Sequence, residues 1–171
     1  MAQVMTAPRD ELHSVTVWKA GAWAGVIAGV AFLILEMGMV WLFMGESPWA
    51  PPRMIAAIAL GKGVLPMPPD QPATFSMGIL VTAMVIHFVL AIIYGLIGAW
   101  LVHRFDWLGG LIIGAVFGLA IYVVNFYMIA PVAFPWFEMA RNWISIFAHV
   151  MFGAILGLSY IGLRKPKAAR G

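Results

Sequence analysis

Four long apolar segments, in a chain that is 63% hydrophobic and only 10% charged, predict an all-α integral membrane protein with four transmembrane helices. A soluble domain carries about 25% charged residues. The mean hydropathy of +0.96 says the same: there are too few charges here to cover a water-facing surface. The segments run from about Lys19 to Phe43, Phe75 to Val102, Leu108 to Ile129 and Trp143 to Leu163. Each reaches the ~20 residues needed to cross a hydrocarbon core roughly 30 Å thick. Backbone groups in lipid must be satisfied within the segment, which makes the spans helical. The short alternating strands of an outer-membrane barrel are missing.

Taken in order, residues 1–17 are polar and mixed in charge (Arg9, Asp10, Glu11, His13) and read as a short N-terminal tail. A secretory signal has a basic start and an apolar run of about 7–15 residues. Here the start carries acids and the run is longer, so the first span is expected to stay uncleaved. After it, Gly45–Arg53 is rich in turn residues, and Met54–Leu60 reads as a short apolar helix. That helix is too short to cross, so it is expected at the interface or dipping back into the bundle. Pro66, Pro68, Pro69 and Pro72 make a stiff approach to the second span. A tight turn at 103–106 joins the second and third spans. Residues 130–141 join the third and fourth, with Glu138 and Arg141 expected to pair with each other or with Arg53 or Glu46. Residues 164–171 form a basic tail. Trp18, Trp49, Trp100, Trp107, Trp136 and Trp143 fall at span ends, where interfacial anchors belong.

The Lys/Arg distribution orients the bundle. Arg9, Lys19, Arg104, Arg164, Lys165, Lys167 and Arg170 share the side of the termini, against Arg53, Lys62 and Arg141 opposite. Both termini are therefore expected in the cytoplasm, with the protein in a bacterial-type inner membrane. The basic residues form no folded patch, which argues against nucleic acid and leaves the lipid bilayer as the main partner. A homodimer or larger membrane complex stays open. The chain has no cysteine, which excludes disulfides and thiolate metal sites. Its methionines are scattered and read as packing.

The chain also repeats itself. Trp18, Gly21, Gly25, Gly29, Ala31, Glu36 and Met39 recur as Trp107, Gly110, Gly114, Gly118, Ala120, Asn125 and Met128. His87, Gly95 and Leu96 of the second span recur as His149, Gly157 and Leu158 of the fourth, and Pro48-Trp49 echoes Pro135-Trp136. These matches divide one bundle (18–163) into two parallel helical-hairpin repeats, 18–102 and 107–163, with an insertion in the first. Glycine at every fourth position makes a groove that lets helix backbones approach closely. The ladders Gly21/Gly25/Gly29 and Gly110/Gly114/Gly118 are expected to pack on each other, crossing the first and third spans inside one molecule. The alternative turns one ladder towards a second subunit.

Such a crossing splays the helices beyond it, where the polar residues fall. Glu36 lies about 27 Å above Trp18 at the helical rise of ~1.5 Å per residue, and Asn125 is its equivalent. His87 and His149 form a second level below them. Polar and charged groups at membrane depth face the interior and find partners. Three readings follow for Glu36, His87, Asn125 and His149. They lock the bundle by bonding one another; or the two histidines ligate a haem iron or a divalent metal; or the cluster lines a path or pocket for a small solute, ion or quinone.

The run Glu46-Ser47-Pro48-Trp49-Ala50-Pro51-Pro52-Arg53-Met54, with His87, Asn125-Phe126-Tyr127 and Pro135-Trp136-Phe137, resembles a group of small uncharacterised proteobacterial four-helix inner-membrane proteins. Some of these are labelled sodium:proline symporter. That label would imply sodium-linked solute uptake, but such symporters have many more spans and broken sodium-binding helices, and the resemblance carries no residue roles. No nucleophile–base set or phosphate loop is present, so the chain is not expected to be an enzyme. The expected role is a non-catalytic accessory or structural membrane component with an interior polar cluster and no cofactor. The alternatives are a small-solute or ion transporter (proton- or sodium-linked) acting as an oligomer, and a haem- or metal-binding membrane subunit.

Overall fold

The four apolar stretches fold as helices of Trp18–Met44, Met77–Val102, Trp107–Ala133 and Trp143–Arg164, each long and apolar enough to cross a bilayer. The computed structural model describes residues 16–65 and 72–164. The N-terminal tail, Pro66, Pro68 and Pro69 of the proline approach, and Lys165, Lys167 and Arg170 of the basic tail lie outside the described residues. A short helix, Ala50–Leu60, stands between the first two spans.

Local chemistry sets the boundaries. Asp106 caps the third span by accepting a hydrogen bond from the Gly109 amide at 2.9 Å, and Asn142 accepts from the Ser145 amide at 3.1 Å to open the fourth. Both caps answer backbone donors that a helix start leaves unpaired. The first span closes through a π-helical turn, Val40–Met44, into Gly45, whose φ of 68° requires glycine. The third span also carries a π-helical stretch near this end, Val124–Ile129. Pro51 and Pro52 sit in the first turn of the short helix, where a missing amide hydrogen costs nothing.

The fourth span is the centre of the bundle. Of its most apolar stretch 61% is buried, against 17–28% for the other three. One face packs along the third span and another along the first. The first–fourth seam runs the length of both helices: the Val17 amide donates to the Tyr160 hydroxyl (3.1 Å), Phe32 meets Phe152, Ser145 bonds Glu36, and Phe43 meets Trp143. The second and third spans touch each other far less than either touches its own hairpin partner.

The glycine ladders close each hairpin on itself, and this corrects the expected crossing of the first and third spans, which make no extended contact. A Cβ at Gly25 would collide with the Ala91 carbonyl, and one at Gly21 would lie 2.6 Å from the Ala99 Cβ. In the second hairpin, a Cβ at Gly114 would strike the Gly153 carbonyl and one at Gly118 the His149 carbonyl. The even-numbered spans carry small-residue stripes of their own, Ala91/Gly95/Ala99 and Gly153/Gly157. A groove is filled best by such a stripe on the antiparallel neighbour. Tight packing therefore lies within hairpins, on the half of the molecule that holds Trp18 and Arg164.

At that same end Arg164 ties the hairpins together. It is buried, donates to the carbonyls of His103 and Phe105, and lies over the Tyr160 ring. Those carbonyls are left without helical partners where the second span ends. Arg164→Ala is expected to cost about 1–3 kcal/mol, because it strands buried acceptors. Unfolding in a detergent titration followed by circular dichroism measures the loss, and an unchanged midpoint contradicts this role.

The opposite end is built from the two long loops. Arg53 donates to the carbonyls of Val64 and Thr74, Ser47 to the carbonyl of Ala73, and the Trp136 indole to the carbonyl of Met54 (3.1 Å). The short helix is thus pinned to both loops, packed on the second span and over the bundle. Arg141 bonds the Phe126 carbonyl, pairs with Glu138 at 3.3 Å as the sequence suggests, and stacks over Tyr127.

Candidate functional site: a cavity beneath the short helix

Above the glycine-packed half, the helices part around a cavity of about 620 Å³. Its lining comes from all four spans, the short helix and both loops, and includes no residue of 18–31, 95–120 or 153–164. The close backbone approaches therefore close it off on the side of the termini. The lining is mostly apolar. Glu36, His87, Asn125 and His149 all line it, so the fold brings together the four polar residues singled out by the sequence.

They meet around the space and not through one another: among the described residues, no hydrogen bond joins two of the four. Glu36 is buried, and its Oε1 accepts from the Ser145 hydroxyl at 2.7 Å. Its Oε2 is buried without a partner. His149 holds the Ser145 carbonyl through Nδ1 at 2.7 Å, and His87 holds the Gly29 carbonyl through Nε2 at 3.0 Å. A carbonyl only accepts, so those nitrogens carry the proton in the neutral rings, leaving Nε2 of His149 and Nδ1 of His87 as acceptors. Asn125 accepts from the Tyr94 hydroxyl at 2.9 Å through Oδ1, which leaves its amide hydrogens to donate.

Aromatic rings set the imidazoles in place. Phe32 stacks on His87 (5.6 Å between centroids) and meets His149 edge-on (4.8 Å). Tyr122 and Phe126 complete the cage around His149, each at 5.5 Å. This arrangement bears on the haem reading. Phe32 packs against both imidazoles, so a planar macrocycle ligated by both would have to displace it. Nor do the described residues contain a group of three or more His, Cys, Asp or Glu side chains able to hold a metal ion.

Ser145, Tyr94 and Phe32 belong to the site although the sequence reading passed over them. Spacing could have found two of them. Ser145 stands four residues before His149 and Tyr94 seven after His87, each on the helical face of its histidine. Phe32 carries no such signal, since one aromatic among many apolar residues looks like packing.

No family model, curated protein or solved structure matches this chain. Fold and site therefore define the class on their own: a small four-span integral membrane protein, built as two tightly packed hairpins, with a largely apolar cavity that four polar side chains line.

Proposed function

We propose that the protein is a non-catalytic, membrane-embedded binding protein whose cavity holds a small molecule. The observation that carries this is the convergence of Glu36, His87, Asn125 and His149 on one largely apolar space, each bonded to something other than its three companions. A concave, mostly apolar pocket with a few convergent polar groups is the usual form of a small-molecule site. The bonds Glu36–Ser145, His87–Gly29 and Asn125–Tyr94 also brace the spans, but bracing leaves Glu36 Oε2 buried without a partner. The hydroxyl nearest the cluster, that of Ser145, is fully buried and does not line the cavity, which speaks for binding over nucleophilic catalysis.

The cavity lies wholly on the loop side of the glycine-packed half, which favours a one-mouthed binding site over a conducting path. The excess of Lys and Arg beside the termini supports an inner-membrane protein with both termini cytoplasmic and the cavity towards the opposite leaflet. Duplication of one hairpin accounts for the matched contacts. Gly29 meets His87 where Gly118 meets His149, and Gly25 meets Ala91 where Gly114 meets Gly153.

Filling the cavity tests the proposal. Ile121 is buried and lines the space, so Ile121→Trp removes volume without touching a polar group. Mass spectrometry of small molecules extracted from purified protein should show a species in the wild type that the variant lacks. Identical profiles from the two proteins contradict it.

A further inference from the structure

The charge and hydrogen-bonding character of the lining says what kind of molecule fits, and this step rests on the reading of the cavity as a ligand site. We propose that the cavity takes a small apolar organic cation, an amine or quaternary ammonium, with its positive charge beside Glu36.

The lining contains two carboxylates, Glu36 within and Glu46 at the loop side, and no lysine or arginine. Arg141 is close in sequence to the lining residue Asn142, but it does not line the space and is held by Glu138 and the Phe126 carbonyl. An anion would therefore face negative charge with no compensating cation. The free hydrogen-bonding capacity points the same way. Glu36 Oε2, His87 Nδ1 and His149 Nε2 can accept, and the donors left in the lining are the amide hydrogens of Asn125 and of Asn142, whose Oδ1 is taken by the Ser145 amide. A ligand that brings donors or positive charge meets those three acceptors. Beside a neutral ligand Glu36 is left to neutralise itself by holding a proton, since an uncompensated carboxylate in a membrane interior is costly. An ammonium compensates it directly.

The rest of the wall selects an organic cation over an inorganic one. An inorganic cation needs a shell of oxygen ligands, and the lining is largely hydrocarbon and ring. Phe32, Tyr94, Phe126, Phe134, Phe137 and Phe152 all contribute to it. Aromatic faces attract a cation through the ring quadrupole, most strongly when the charge is desolvated, and they accept its apolar substituents equally well. A carboxylate set among aromatic rings is the arrangement that recognises alkylated ammonium groups.

Calorimetric titration of the full chain in phosphatidylcholine nanodiscs, with empty nanodiscs as the blank, tests this. The probes are phenyltrimethylammonium, its uncharged isostere tert-butylbenzene, and benzenesulfonate. The cation should bind saturably and at least about ten-fold tighter than the isostere, as a desolvated cation–aromatic site with an acid requires. The sulfonate should not bind. Glu36→Gln should weaken the cation by about ten-fold and leave the isostere unchanged. Phe32→Leu should weaken the cation more than the isostere. The wild-type comparison stands even if a variant misfolds. Equal affinity for cation and isostere overturns the cation assignment while leaving the cavity a ligand site. Absence of cation binding also overturns the assignment, and the Ile121→Trp comparison then decides the ligand reading separately.

Discussion

Gly118→Ala is expected to destabilise the bundle by roughly 3 kcal/mol, the upper end of what overpacking a well-filled interior costs. The added methyl would run into the His149 carbonyl, and backbone cannot rotate out of the way as a side chain can. Gly110→Ala should cost less, because its methyl meets the end of the flexible Ile161 side chain. Gly38→Ala should be neutral or favourable by up to about 1 kcal/mol, since nothing lies within 4 Å of that position and alanine is the better helix former. The ranking Gly118, Gly110, Gly38 is the content of the prediction. Detergent-induced unfolding followed by circular dichroism reads it, and equal losses at all three sites would contradict intra-hairpin packing.

The second large effect separates stability from binding at one residue pair. Ser145→Ala should cost about 1–3 kcal/mol, because it leaves both oxygens of the buried Glu36 carboxyl without a donor. Glu36→Leu should do the opposite. Removing the carboxyl relieves its desolvation, which offsets the single hydrogen bond the buried Ser145 hydroxyl loses, so this variant should unfold no earlier than wild type while losing the cation-binding capacity. A fold-stabilising Glu36 would show the reverse, with Glu36→Leu at least as damaging as Ser145→Ala. The pair thus asks whether the carboxyl is kept for the bundle or for what enters it.

Much of this architecture is legible in the chain because membrane burial constrains sequence so strongly. The spans are legible because hydrocarbon admits almost nothing but apolar helix, and the short helix because Leu60 is followed by Gly61, with φ of 79°. The polar quartet was found for the same reason: Glu36, His87, Asn125 and His149 are expensive at membrane depth and therefore stand out. The partners of the glycine ladders were not legible. Gly25 says that a backbone comes close, but not whose. Two ladders alike in spacing suggest each other, whereas the fold pairs each with the Ala91/Gly95 or Gly153/Gly157 stripe of its own hairpin. The cavity was legible only as one of three readings of that quartet: a tightly packed half implies helices that part beyond it, but no residue type encodes the size of a space.

A binding function requires that the upper half of the bundle enclose a ligand-accessible interior. The absence of native cysteine makes this directly measurable. Met37 lines the cavity, while Ile34, three residues earlier on the same helix, is 69% exposed on the outer surface that faces lipid. Single cysteines at these positions, treated in nanodiscs with a small charged methanethiosulfonate, should behave differently. Met37→Cys should be modified and should be protected by phenyltrimethylammonium, while Ile34→Cys, facing hydrocarbon, should stay unreacted. A cysteine at position 37 as inert as one at position 34 would mean that the space is closed, and the binding function would go with it.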